Sequence, residues 1–432
     1  MIFFKSIFII FIHYFFIHSI FKKKFEKYNF SQNIYINSIL ILFIITSLVY
    51  ILNGLNFYYL IISIVGSAYY FLINKNKKEI FSYKNFLLAI LFIVLILICI
   101  LPPLTSFDGR SIWFFHSKIL YFEKIIWSKI WFAEEVSFSQ IHYPKLNAII
   151  SAYLSNLNGL WNYNLSKISL PILLFPALIF FYKKFNSHRH GIINLLVIFI
   201  FFKTDLFNGY MDSILSIYTL ISLISVCEIF KEKNLNEYLI ILGLTIFIIA
   251  NLKDEGIIIV FLILLFFFIF FIKNSKQLLK NRFFYFSLGL CILGVIFNFG
   301  WKYFIFLGNS LSFYGENQIQ NIKLNWENTN IILKFLIFEI NLILYFLLLL
   351  LVNIFNFIYR SSVSQKLSLF TCLFSVLYFI IILSVYLFSP LDIAWHLHSS
   401  ADRVLNTLKF MIIFNAVNFI ILLYEHKFIQ QK

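Results

Sequence analysis

The 432-residue sequence is 61% hydrophobic and only 12% charged, with a mean hydropathy of +0.88, against a charged content of roughly 25% in an average soluble domain. That composition excludes a soluble fold, since no water-facing surface could hide so much apolar side chain, and it makes the bilayer the chain's main solvent. The net charge of +16 does not indicate a nucleic-acid partner, because the basic residues sit in short clusters at the ends of apolar runs and no soluble basic domain carries them.

The first apolar run, 2 to 20, lacks a basic n-region and a small-residue cleavage site and is followed by Lys22, Lys23 and Lys24. It reads as an uncleaved first span. Runs near the length of about 20 residues that a spanning helix needs recur at 35 to 53, 57 to 74 and 86 to 104. A long polar loop, 105 to 145, comes next. Its middle, SIWFFHSKILYFEKIIWSKIWFAEE, sets Trp113, Ile119, Ile126 and Trp127 among Lys118, Lys124 and Lys129, the alternation of a helix lying in the interface plane. The piece from 145 to 160, KLNAIISAYLSNLNGL, is helical in composition but short, and Asn147, Asn156 and Asn158 interrupt it. It could cross or lie at the surface.

Further spans are expected at 166 to 182, 191 to 205, 211 to 229, 236 to 252, 257 to 272, 283 to 305, 331 to 353, 367 to 388 and 404 to 424. The expected fold class is all-α, a polytopic transmembrane helical bundle of about 13 spans. It forms a single integral membrane domain, 1 to 432: N-terminal spans at 1 to 104, an outer loop with interfacial helices at 105 to 160, and the remaining spans at 161 to 432. The expected location is the cell membrane, multi-pass, and the inner membrane if the source is a Gram-negative bacterium. Cys99, Cys227, Cys291 and Cys372 lie far apart in apolar runs, which excludes a CxxC metal site and argues against a disulfide framework.

Charge assigns the faces. If 145 to 160 does not cross, the loops at 21 to 34, 75 to 85, 183 to 190, 230 to 238, 273 to 282, 356 to 366 and 425 to 432 share one face and hold 21 of the 35 Lys and Arg. The positive-inside rule makes that face cytoplasmic. The opposite loops hold nine Lys or Arg but twelve of the 19 acids.

The outer loops also gather the unusual polar clusters: TSFDGRSIW around Asp108 and Arg110, QIHYPK around His142, NGYMDS around Asp212, Lys253-Asp254-Glu255, and the SPLDIAWHLHSSADR stretch with His396 and Arg403. Ionisable residues held at membrane depth usually mark a working site. Asp108 reads either as a solvated turn carboxylate or as a general base within reach of an acceptor hydroxyl. Asp212 reads as a helix-start residue or as a second site acid. Three charges at 253 to 255 interrupt a nearly continuous apolar run, more than a hairpin turn needs. His396 and His398, two apart, would point in different directions on a helix, which argues against a metal pair.

At these residues the sequence resembles the GT-C superfamily of membrane glycosyltransferases, which includes protein O-mannosyltransferases and bacterial lipid A aminoarabinose transferases. The resemblance lies in Phe107-Asp108-Gly109-Arg110 just after a span, the amphipathic segment, His142-Tyr143-Pro144, Asp212 in GYMDSIL and Lys253, and it covers roughly residues 86 to 272, with WHLHSSADR as a continuation. Gly109 and Arg110 stand where the family has acidic or aromatic residues, and Lys145 replaces the second proline of His-Pro-Pro.

The resemblance implies transfer of a sugar from a polyprenyl-phosphate donor to a glycan, lipid or protein acceptor at the outer face, with Asp108 and Asp212 as the catalytic acids. Arg110, His142, Lys253, Asp254, Glu255, His396 and Arg403 are the implied substrate-binding residues, with Lys253 and Arg403 as candidates for the phosphate. No cofactor is fixed by the sequence, although Asp108 and Asp212 could share a divalent cation. A transporter or lipid-carrier flippase is the alternative, since it too would place charges at membrane depth.

Overall fold

The computed structural model describes residues 2–25, 30–55, 58–73, 83–184, 188–231, 234–308, 326–359, 362–389 and 392–430. The expected loops at 75 to 85 and 306 to 330 fall mainly on residues outside these. The described residues are mostly helical, with no strand among them. Four N-terminal helices come first, α1 (Ile2–Phe25), α2 (Phe30–Leu52), α3 (Tyr58–Ile73) and α4 (Tyr83–Ile100). Two shorter ones, α5 (Phe114–Glu123) and α6 (Leu146–Asn158), lie in the long loop. Then follow α7 (Ser169–Lys184), α8 (His188–Phe202), α9 (Asp212–Ile229), α10 (Leu235–Leu252), α11 (Glu255–Leu279), α12 (Arg282–Leu307), α13 (Leu342–Tyr359), α14 (Ser362–Leu387) and α15 (Asp402–Gln430).

A helix stands at each of the thirteen expected positions, but seven are long and apolar enough to cross a membrane by length and composition. An eighth would be the pair Trp326–Ile337 and Leu342–Ile358, bent by 65°. The straight span expected at 331 to 353 is therefore broken. A π-helical turn at Phe335–Glu339 is followed by Asn341 in the left-handed region (φ 54), and neither feature leaves a mark in hydropathy.

Helices α9 and α10 form the centre, each 94% buried. Away from water, backbone and hydroxyl groups must find partners inside the protein. Ser216, Thr219 and Ser225 of α9 each donate to the carbonyl four residues back, at 2.7 to 2.8 Å, so that small polar residues sit in an apolar core at low cost. Helix α12 packs closely on α10 at Gly243, where a Cβ would lie 2.7 Å from Ser287 Oγ, the small-residue contact common between membrane helices. Peripheral helices turn apolar stripes outward. On α8, Ile192, Leu196 and Ile200 recur every four residues and are all exposed, as a lipid-facing surface requires.

The amphipathic helix expected in the segment 111 to 135 is interrupted. Helix α5 ends at Lys124, which is left-handed (φ 64) and whose N–H closes on the Leu120 carbonyl, and the chain resumes as a short 3-10 turn at Lys129–Phe132. Trp113, Ile119 and Ile126 are buried against protein while Phe122 and Ile125 are exposed, so one side of this segment packs on the bundle.

Helix α6 corrects a second expectation. It is not a surface helix, because eleven of its 13 residues are buried. Its 13 residues span about 20 Å at 1.5 Å each, against a hydrocarbon core of about 30 Å. Its asparagines explain its placement. Asn147 accepts from Ser169 at the start of α7 (2.7 Å), Asn156 donates to the Leu55 carbonyl just after α2 (3.1 Å), and Asn158 donates to Ser6 near the start of α1 (2.5 Å). Lys167, just before α7, donates to the Pro102 carbonyl just after α4. The chain thus leaves α4 and enters α7 at the same end of the bundle.

Cysteines placed at Phe107 and Leu160, both exposed, should therefore react with an impermeant maleimide from the same side of the membrane, while one at buried Asn147 should not react. Access to 107 and 160 from opposite sides would make α6 a crossing and invert the later helices.

Candidate functional site

The ends of α4, α10 and α12 and the starts of α9, α11 and α15 meet at one end of the bundle. Most of the charged residues singled out in the sequence converge there. The Asp108 turn is drawn in by Gly109. Ser106 Oγ donates to the Asn208 carbonyl (2.5 Å) and accepts from Gly109 N (3.1 Å). A Cβ at 109 would lie 2.3 Å from Ser106 Oγ and 2.9 Å from that same carbonyl. Glycine at 109 therefore lets the turn pack against the loop before α9.

Asp108 Oδ2 accepts from Arg403 Nη1 across 295 residues of sequence. Arg403 Nη2 donates to the Ser399 carbonyl at 2.9 Å, and its guanidinium lies 4.8 Å from the centre of the Tyr210 ring, a cation–π contact. The pair is partly open, 17% exposed at Asp108 and 26% at Arg403. Each partner adjoins a π-helical turn, Gly109–Trp113 and Leu397–Ala401, a wide turn frequent at functional sites.

Beside this pair, Lys253 Nζ donates to Asp212 Oδ1 at 2.7 Å and lies 3.0 Å from Glu255 Oε1. Both members of the Lys253–Asp212 bond are nearly closed to solvent, at 5% and 8%. Burial alone would lower the Lys253 pKa, but the Asp212 and Glu255 carboxylates outweigh it and hold the ammonium well above its ordinary value. Glu255 Oε2 is buried with no hydrogen-bond partner, an acceptor still open. Asp254 turns the other way. Its Oδ2 lies 3.3 Å from His142 Nε2 and its Oδ1 3.0 Å from Lys302 Nζ, the latter an ion pair without the alignment of a hydrogen bond. Burial lowers the His142 pKa against the pull of Asp254, so the imidazole stays neutral near pH 7.

His396 lies at the edge of this cluster, bonded to Ser389 (2.8 Å) with its ring 4.8 Å from that of Tyr386. Arg110 is exposed and is not brought to the cluster. Asp108 and Asp212 are each held by a cationic side chain, and among the described residues no group of three or more His, Cys, Asp or Glu is arranged to hold a metal ion.

Sequence reasoning missed Tyr210, Lys302 and Lys145. Tyr210 could have been suspected from NGYMDS, but Lys302 stands inside an apolar span and shows its role only through Asp254. Lys145 is fully buried beside His116. Burial, with Lys145 adding to it, holds the His116 pKa well below 6.5.

Two measurements follow. Lys253→Met should cost about 3 to 5 kcal/mol by leaving carboxylates buried without their cation, and adding Asp212→Asn should recover part of that, as read by thermal unfolding in detergent. For His116 the unfolded chain takes up a proton below about pH 6.5 that the folded chain refuses, so stability falls as pH drops through that value, by up to about 1.4 kcal/mol per pH unit. His116→Asn should flatten the dependence of unfolding temperature between pH 7.5 and 5.5, and an unchanged slope would show that this imidazole is not the group responsible.

Comparison of the chain with protein-family models, with curated proteins and with solved structures finds no match.

Proposed function

We propose that the protein is an inverting glycosyltransferase of the GT-C type, a cell-membrane protein of about thirteen crossings that moves a sugar from a polyprenyl-phosphate donor to an envelope acceptor at the outer face. The observation that carries this reading is the meeting of Asp108, from the loop after α4, with Arg403, at the start of α15, beside the Asp212–Lys253–Glu255 cluster. It gives a carboxylate able to accept a proton and a guanidinium able to hold a phosphate, both partly open to solvent. The positive-inside distribution assigns this end of the bundle to the outer face.

In this reaction Asp108 takes the proton of the acceptor hydroxyl as its oxygen attacks the anomeric carbon. The bond from that carbon to the donor phosphate breaks with its electron pair staying on the phosphate, and the carbon inverts. Phosphate is already a weak base, so no general acid is needed. Arg403 receives the phosphate, for which its planar fork is suited. Because that guanidinium is bonded to Asp108 in the resting protein, phosphate binding exchanges one partner for another and frees the base only when donor is present. Lys253, with carboxylates on two sides, fixes Asp212 and Glu255 in place. Glu255 Oε2, the acceptor without a donor, is suited to a sugar or acceptor hydroxyl. His142 and Asp254 border the acceptor side, with His396 at the margin.

The second reading, a transporter or lipid-carrier flippase, is favoured by the bent pair at 326–337 and 342–358, since broken helices serve transport sites. The same mutants separate the two. In purified protein reconstituted in lipid and offered polyprenyl-phosphate-sugar donors, Asp108→Asn should fold normally and transfer about 10²- to 10⁴-fold more slowly. Arg403→Gln should weaken donor use by about 1.5 to 3 kcal/mol, with acceptor dependence little changed. Near-normal turnover in both Asp108→Asn and Asp212→Asn would remove the glycosyltransferase reading and leave transport as the better account.

A further inference from the structure

Lys145 stands at the start of α6, fully buried and with no carboxylate among the described residues in ion-pair contact. Its Nζ donates to the Ile141 carbonyl and to His116 Nδ1, both at 2.9 Å. It lies 4.5 Å and 4.6 Å from the ring centres of Trp131 and Trp301, whose planes are 85° apart. The Ser139 hydroxyl donates its one proton to the Val136 carbonyl (2.7 Å), so toward His116 Nε2, 3.1 Å away, it can only accept. His116 thus carries its proton on Nε2 and offers the lone pair of Nδ1 to Lys145. Two of the amine's N–H groups have fixed acceptors and the two indole rings enclose it, while burial holds its pKa well below the usual lysine value.

The Ile141 carbonyl accepts a second bond, from Trp301 Nε1 at 2.9 Å. Ile141 is flanked by Gln140, left-handed at φ 51, and by His142, while Tyr143 N closes the turn on the Gln140 carbonyl at 3.1 Å. A non-glycine residue in that region persists only where its surroundings over-determine it. Two donors on one carbonyl, one from α12 and one from the start of α6, supply that constraint. The next side chain along is the imidazole that meets Asp254 at 3.3 Å.

We propose that Lys145 is a positioning residue for the site: caged between Trp131 and Trp301 and acting through the Ile141 carbonyl, it fixes the 140–143 turn so that His142 faces Asp254. Removing it lets the turn relax and uncouples His142 from Asp254 while the bundle stays intact. This does not depend on the glycosyl-transfer reading.

The test is the reactivity of individual histidines toward diethyl pyrocarbonate in the purified full-length protein, followed by mass spectrometry, with His396 of the same molecule as reference. In the native protein His142 should react slowly. Lys145→Met should raise the ratio of His142 to His396 rates by about fivefold, the factor that corresponds to one net hydrogen bond, and Trp301→Phe, which removes the other donor to Ile141, should raise it similarly. An unchanged ratio in folded Lys145→Met overturns the proposal, as does an equal rise at both histidines, which would mean general loosening. If Lys145→Met does not fold, Trp301→Phe decides by the same ratio.

Discussion

A lysine ammonium shared between two carboxylates, nearly closed to water, is the interaction on which the architecture of the site depends. Lys253 follows the last residue of α10, Asp212 opens α9 and Glu255 opens α11, so a single cation ties three helix ends together. Placing a charge there is costly, and the cost is offset only while the partners stay in register. The surrounding packing meets that condition. Helices α9 and α10 are buried almost throughout, and Gly243 brings α12 against α10, which carries Lys302 to Asp254 and Trp301 to the Ile141 carbonyl. Rigid helices thus deliver the charges, and the loops close around them.

How far this was legible in the sequence depends on what each feature needs in order to be seen. Hydropathy marks helices, so all thirteen apolar runs appear as helices, and a charge in an apolar run marks a helix end, so Asp212 and Lys253 to Glu255 were visible. Partnerships were not, because Asp108 and Arg403 lie 295 residues apart and nothing in either motif names the other. Backbone exceptions were equally silent. Lys124 and Asn341 adopt left-handed conformations that end or bend helices without a glycine or proline to announce them.

Helix α6 illustrates the limit most sharply. Its three asparagines count against a buried helix on any scale of hydrophobicity, and they suggested a surface position. Inside the protein they are instead its means of attachment, each bonded to a different helix end or connection. A buried polar group is costly only when unpaired, and pairing is a property of the neighbours. The same holds for Lys145, which sequence treats as a departure from His-Pro-Pro and which the fold surrounds with two indoles, an imidazole and a carbonyl.

The charge balance at this end of the bundle constrains what can bind there. Asp108, Asp212, Asp254 and Glu255 face Arg403, Lys253 and Lys302, and the neutral His142 adds nothing, so the paired groups hold one more acid than base. An anion cannot simply be added to such a set, because each cation already has a carboxylate. It can enter only by exchange, taking a cation from a carboxylate that is then left to do something else. Lys253 is poorly placed for that, buried between two acids, whereas Arg403 is partly open and has one carboxylate, Asp108, in direct contact, with Asp212 attracting it from further off. In the proposed glycosyl transfer the requirement to exchange would link recognition to activation: an anionic donor that took Arg403 would displace Asp108, and a displaced carboxylate beside bound donor is what a general base must be.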